Sequence, residues 1–397
     1  MICVNETLDD TKEIIRQRIL DEIEKGGDLS DEDIKEIIDN EIISCKKSLS
    51  FSFEARKKLR KELFYAIRKL DILQELLEKP DITEIMINGT DNIFIEKAGR
   101  IMQCEFGFAS KEKLINVIQQ IVADCNRTVN EASPIVDARL LNGARVNIVL
   151  NPVALNGPIV TIRRFPEQPI LMEDLVSLGA LSNEMAEFLH MAVRQRESII
   201  ISGGTGSGKT TFLNVLSNFI PHDERLITIE DSAELQILNI PNLVKLETRS
   251  SNIEGCREIT IRDLIKTALR MRPDRIVVGE VRGAEAIDLL QAMNTGHPGS
   301  MSTLHSNSAK DMVSRLETMV LMGTPLPLMA IRKQIASGIQ LVVQLGRLAD
   351  SSRKVLEILR ITGISNDELM TESVFKMAEK GEDKNGRIRA VWDREIS

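Results

Sequence analysis

Aromatic side chains are scarce in this 397-residue chain: one Trp, one Tyr and eleven Phe make up 3% of it. So few rings, which must also fill the cores, count against a protein that stacks single-stranded nucleic acid base by base. Cysteine is sparse as well. Cys3, Cys45, Cys104, Cys125 and Cys256 lie far apart, with no pair at the two-residue spacing of a zinc site, so a reduced, cytoplasmic compartment is expected. No run of about eighteen apolar residues could cross a bilayer, and the opening residues lack the pattern of a signal peptide. Action at a membrane would be that of a peripheral protein at its inner face. Internal repeats and low-complexity tracts are absent too.

What is present is an ordinary globular balance, 43% hydrophobic and 28% charged. The length implies two or three domains, since one core usually serves about 100–200 residues. The net charge of −8 is unevenly placed. Residues 1–44 carry fourteen acidic and five basic side chains, and a basic stretch follows through Lys46, Arg56, Lys57, Lys58, Arg60, Lys61 and Lys69. Two solvated helix faces account for this, as would a docking surface for an anionic partner or membrane headgroups.

Apolar periodicity places two amphipathic helices first, with Ile14, Ile15, Ile19 and Ile23 before Gly26-Gly27, then Ile34, Ile37, Ile38 and Ile42 behind a cap at Ser30 with Asp33 three residues on. A third helix is expected over Arg56 to Glu78, completing a small helical module over residues 1–78. Short β-type runs at Ile85–Ile87, Ile93–Ile95, Arg145–Val149 and Ile159–Arg164, with a helix near Lys111 to Ala123, predict an α+β domain over 79–166 on an antiparallel sheet. Pro166, Gln168 and Pro169 mark a linker. From 167 to 397 buried-strand runs alternate with helices, at Ser198–Ile201, Leu226–Ile229, Arg275–Val278, Met301–Leu304 and Ile339–Val343. The expectation is an α/β domain on a doubly wound parallel sheet, with a closing β-hairpin over Arg347 to Ile361 around Asp350-Ser351-Ser352.

Between the first of these strands and a helix lies Gly203-Gly204-Thr205-Gly206-Ser207-Gly208-Lys209-Thr210, a complete P-loop, followed by Thr211. Its glycines let backbone amides crowd around phosphate oxygens, and the helix N-terminus adds positive potential. Lys209 can then reach the β- and γ-phosphates of ATP, and Thr210 can hold Mg²⁺. Hydrolysis also needs a carboxylate that orients water. Two strands release one at their carboxyl ends, where open α/β sheets place their ligands. Ile227-Thr228-Ile229 runs into Glu230-Asp231, and Ile276-Val277-Val278-Gly279 runs into Glu280. His305 follows a third such strand and is a candidate γ-phosphate sensor. Glu230 and Glu280 join Thr210 as candidate metal ligands.

Together these residues resemble the secretion and pilus-assembly ATPases of the type II/type IV secretion superfamily, over about residues 75–350. Beyond the P-loop (Walker A), Ile229 to Glu234 is similar to the family's Asp box, Arg272 to Arg282 to its Walker B box, and the residues around His305 to its His box. Leu269 to Asp274, Gln291 to His297 and Arg315 to Met319 look most like the CpaF (TadA-type) ATPases of tight-adherence, or Flp, pili. No tetracysteine insertion of the kind seen in many type II secretion and pilus-extension ATPases is present.

The resemblance implies a RecA-like P-loop ATPase domain preceded by a PAS-like α+β domain, assembled as a homohexameric ring at an inner-membrane platform protein. It also implies charge-neutralising arginines in the N-terminal domain. Carried over residue by residue, these are Arg145 in Gly143-Ala144-Arg145-Val146-Asn147 and Arg164 in Thr161-Ile162-Arg163-Arg164-Phe165. The implied work is pilus assembly or secretion driven by ATP hydrolysis, with a conjugation or type IV secretion ATPase as the close alternative. A RecA-type nucleic-acid motor would call for a basic or aromatic channel that this acidic chain does not display, and nucleic acid is not an expected partner. A nucleotide-gated scaffold without turnover is the remaining rival.

Overall fold

The computed structural model describes residues 12–23, 29–45, 52–97, 99–140, 142–164, 169–249, 257–382, 386 and 388–395. Gly26-Gly27, Lys46, Cys3, Cys256 and the linker residues Pro166 and Gln168 lie outside the described residues. The chain divides into two compact units, Met1–Glu167 and Gln168–Ser397.

The first unit opens with helices α1 (12–23), α2 (Asp31–Ser44), α3 (Phe53–Arg68) and α4 (Ile72–Glu78). Ser30 caps α2 in a reciprocal box with Asp33. Ile15 and Ile19 of α1, Ile34, Ile38 and Ile42 of α2, and Leu59 and Leu63 of α3 form a small core. The charges separated along the sequence meet across this bundle. Lys12 pairs with Glu62 at 2.7 Å, Arg60 with Asp39 at 2.5 Å and Arg18 with Glu41 at 3.8 Å, while Arg68 and Lys69 both approach Asp31. Each exposed pair contributes less than about 1 kcal/mol, but together they neutralise much of the polarity read from the sequence.

The single helix expected over Arg56–Glu78 is in fact two. The break falls at Asp71, whose φ of 51° and ψ of −134° no α-helix accommodates. The reason is packing. Leu59 and Leu63 belong to the helical core, whereas Leu73, Leu76 and Leu77 belong to the core of the sheet that follows. A straight helix could not serve both.

That sheet comprises β1 (Ile82–Asn88), β2 (Ile93–Lys97), β3 (Arg100–Gln103), β4 (Ile135–Arg139), β5 (Arg145–Val149) and β6 (Ile159–Arg163), with α5 (Lys111–Asp124) between β3 and β4. It is antiparallel throughout, in the order β3-β2-β1-β6-β5-β4. Period-2 alternation sends Val146, Ile148, Val160 and Ile162 inward with Leu114, Ile118 and Ile121 of α5. Across the strands, cross-strand register aligns Arg139, Arg145, Arg163, Glu84 and Glu96 in one row.

The second unit runs α6 (Met172–Ser177), α7 (Asn183–Arg194), β7 (Ile199–Gly203), α8 (Lys209–Ser217), β8 (Leu226–Glu230), β9 (Leu243–Glu247), α9 (Ile261–Ala268), β10 (Arg275–Val278), α10 (Ala286–Asn294), β11 (Met301–Leu304), α11 (Ala309–Gly323), α12 (Leu328–Gly338), β12 (Leu341–Arg347), β13 (Arg353–Ser365), β14 (Glu368–Glu382) and β15 (Ile388–Arg394). Its nine strands are ordered β15-β14-β13-β12-β7-β11-β10-β8-β9. From β12 to β9 the pairs are parallel and from β12 to β15 antiparallel.

Both faces of the parallel part are buried. On β7, Ile199 and Ile201 enter one core, and Ile200 enters the other. This is why those strands read as unbroken apolar runs. Beneath them Arg275, fully buried, forks onto both carboxylate oxygens of Glu224 at 2.6 and 2.9 Å and gives a third hydrogen bond to the Val193 carbonyl. The expected hairpin is present. Its turn places Ser351 at φ 66° and closes with a Leu348–Ser352 backbone bond of 2.8 Å. The antiparallel region extends further than expected, through β14 and β15.

Candidate nucleotide site

The phosphate loop leaves β7 at the centre of the sheet and turns into α8. Gly208, the residue before that helix, has φ 92°, a left-handed conformation that costs a residue with a Cβ about 1 kcal/mol or more. Gly203 is required on different grounds: a Cβ there would lie 2.6 Å from both the Leu345 carbonyl oxygen and Ser207 Oγ. Gly204, Thr205 and Gly206 are exposed at the loop's tip, Ser207 is buried, and Thr210 and Thr211 are half-buried in the first turn of α8.

Lys209 folds back over the loop. Its Nζ donates to the carbonyls of Gly203 and Gly204 at 3.1 and 3.0 Å and stands 3.3 and 3.4 Å from the two ring nitrogens of His305. His305 Nε2 in turn lies 3.0 Å from Glu280 Oε1, off the axis of a hydrogen bond, and Glu280 Oε2 accepts from Arg282 at 2.7 Å. Lys209 Nζ stands almost equidistant from the two ring nitrogens, so a neutral imidazole can accept from the ammonium through whichever nitrogen is unprotonated. Burial and the neighbouring Lys209 charge both push the His305 pKa below its ordinary value, against the pull of Glu280. Arg282 also reaches Asp231 at 3.6 Å, and its pKa is raised above the usual guanidinium value by its bond to Glu280.

Glu230 closes the end of β8. Its Oε1 accepts from the backbone N–H groups of Glu234 and Leu235 at 2.9 and 3.0 Å, while its Oε2 is buried with no hydrogen-bond partner. Burial raises this carboxyl to about 7. Gly279 lies against it: a Cβ on that glycine would stand 3.1 Å from Glu230 Cγ. The strand ends are tied to one another, with the Gly279 N–H on the Ile229 carbonyl at 2.8 Å and Thr303 Oγ1 on the Gly279 carbonyl at 2.7 Å. Thus three strand ends bring Glu230, Glu280 and His305 to the side of the sheet that carries Lys209.

Mg²⁺ and a triphosphate fit this donor set. The exposed loop tip offers backbone amides, Thr210 offers a hydroxyl, and the orphaned Glu230 oxygen is an acceptor awaiting a hydrated cation. Among the described residues no group of three or more His, Cys, Asp and Glu side chains could hold a metal by itself, so a cation here would share its shell with the phosphates.

The profile of the type II/IV secretion system proteins matches residues 67–391. This chain belongs to that family. Among similar proteins, a putative conjugal transfer protein of Mycobacterium tuberculosis is 34% identical over 293 residues, spanning 72% of this chain and 83% of that one. The conjugal transfer protein TrbB of Rhizobium radiobacter is 34% identical over 322 residues, 79% of this chain and 95% of its own length. Among solved structures, the ATPase DotB of Legionella pneumophila superposes with a TM-score of 0.51 at 23% identity, covering 72% of this chain and 79% of that one. That likeness speaks for the fold, an N-terminal domain followed by a RecA-like ATPase domain.

Beside the site, one buried residue gives no local signal in the sequence. Gln344 of β12 is buried, accepts from Ser202 and Ser306, and so braces the strand before the loop and the residue after His305. In the first unit, Arg164 gives its guanidinium to the carbonyls of Lys79 and Ile82. Arg163, one residue earlier, is exposed and registers beside Arg145, which itself approaches Asp137 at 3.6 Å. The alternation of β6 carried the signal: Val160 and Ile162 face inward, which sends Arg163 outward with Arg145.

Proposed function

We propose that this chain hydrolyses ATP and uses the cycle to drive a secretion, conjugation or pilus machine from a homohexameric ring at an inner-membrane platform protein. The observation that carries the chemistry is the continuous chain Lys209–His305–Glu280–Arg282, every link 3.4 Å or shorter. Lys209 leaves its loop carbonyls to hold the terminal phosphates. Glu280, oriented by Arg282, accepts a hydrogen bond from the attacking water. His305 lies between them and so couples phosphate occupancy to that carboxylate. Thr210, with Glu230 and Glu280, would hold Mg²⁺, which supplies charge neutralisation on the phosphates when bound. For the first unit, Arg145 and Arg164 are the residues to which the family resemblance assigns the charge-neutralising role, and the exposed Arg163, in register with Arg145, is a further candidate.

Phosphate release by the purified chain tests this. Lys209→Ala should abolish nucleotide binding and turnover together. Glu280→Gln should keep binding but lower kcat about 10²-fold or more. A background rate in the wild type at several protein concentrations would leave only the scaffold reading. Sedimentation with a non-hydrolysable ATP analogue tests the hexamer. The motifs at Leu269–Asp274, Gln291–His297 and Arg315–Met319 favour the tight-adherence pilus branch, whereas the M. tuberculosis and R. radiobacter relatives carry conjugal-transfer names. Cells with the Lys209→Ala allele decide between them: loss of surface pili supports the first, and loss of DNA transfer with pili intact supports the second.

A further inference from the structure

The tip of the phosphate loop is held by a residue about 150 positions away. Arg353, the first residue of β13, donates from Nε to the Gly206 carbonyl oxygen at 2.8 Å. Its Cδ lies 3.4 Å from where a Cβ on Gly208 would stand. Gly206 and Gly208 carry the loop's left-handed turns, at φ 71° and 92°. The guanidinium therefore leans on the stretch of backbone with the least stiffness of its own.

The electrostatics of the hairpin point the same way. Register sets Arg347 directly opposite Arg353, and like charges in that position of an antiparallel pair are unfavourable. The acid of the turn, Asp350, is held by the turn itself: its oxygens accept from the Ser352 N–H, the Ser352 hydroxyl and the Ile388 N–H at 2.9, 2.6 and 2.8 Å. Among the described residues Arg353 has no carboxylate within ion-pair distance, and its side chain is exposed. A local cost of this kind is understandable where a site needs positive potential.

We infer that Arg353 is a positioning residue for the phosphate loop and a source of positive potential at its mouth, so that the C-terminal hairpin takes part in binding the nucleoside triphosphate. This rests on the reading of the site as an ATPase centre. Arg353 acts through Gly206 and stands apart from Glu280 and His305, so its effect belongs to nucleotide binding rather than to the chemical step.

The test compares Arg353→Ala and Arg353→Lys with the wild type in the full-length chain, by phosphate release and by equilibrium binding of a fluorescent ATP analogue at two salt concentrations. Arg353→Ala should raise KM and the dissociation constant about tenfold, the size of one lost charge-assisted hydrogen bond. It should leave kcat within about twofold and the thermal midpoint without nucleotide unchanged. Arg353→Lys should recover part of the affinity, and salt should weaken binding more in the wild type than in Arg353→Ala. Unchanged KM in Arg353→Ala overturns the inference. A fall in thermal midpoint with no recovery in Arg353→Lys does so too, because it would mark a merely structural tie. An inactive wild type that binds no nucleotide would instead remove the reading of the whole site, which separates the two failures.

Discussion

Burial lifts the Glu230 carboxyl to about 7, against the two backbone N–H groups of Glu234 and Leu235 that favour its charged form. Because the folded value lies above the unfolded one, near 4.5, the protonated carboxyl adds stability that is complete below about pH 4.5 and lost as the pH rises through about 7. Glu230→Gln keeps an oxygen for those two donors and cannot ionise. Without Mg²⁺ and nucleotide, its stability relative to the wild type should therefore climb by on the order of 1–3 kcal/mol between pH 5 and 8, read from urea midpoints. A difference that stays constant over that range would mean the carboxyl does not titrate there. His305 behaves in the opposite sense, since its lowered pKa keeps the ring neutral at pH 7 and free to accept from Lys209.

Among the elements, the α3–α4 junction is the place where local and global demands conflict. Asp71 holds a backbone conformation that is nearly exclusive to glycine. Asp71→Gly should stabilise the first unit by about 1 kcal/mol, measured by chemical denaturation; a loss would mean that the aspartate side chain supports the turn. The same junction shows what the sequence conceals. From Arg56 to Glu78 the apolar period is unbroken and free of glycine and proline, and the break appears only because Leu63 and Leu76 answer to different cores. By contrast, the P-loop and the strand ends at Glu230, Glu280 and His305 were legible, because glycine spacing and apolar runs ending in carboxylates are local signals. Gln344 and Arg353 gave no such signal. Their partners, Ser202 and Gly206, sit more than 140 positions away and meet them only through strand pairing. β9, β14 and β15 were missed because their faces are partly exposed and their apolar pattern is weak.

Across the molecule, the described residues form four distinct apolar clusters, two in each unit. The strand that delivers the phosphate loop, β7, is the first of its sheet to be synthesised, yet its two neighbours are β11 and β12. Emerging from the ribosome, Ile199-Ile200-Ile201 must wait roughly 100 residues for Met301–Leu304 and 40 more for Leu341–Leu345, and non-local parallel pairing of this kind is slow and exposed to aggregation. A nascent chain halted before residue 300 would carry an intact phosphate-loop motif with nothing to hold it flat. Such fragments should be insoluble or bound to chaperones and should retain no nucleotide, a result that pull-down of stalled chains would show directly. Nucleotide capture should therefore have to await the synthesis of Met301–Leu304 and Leu341–Leu345, the two strands that flank β7.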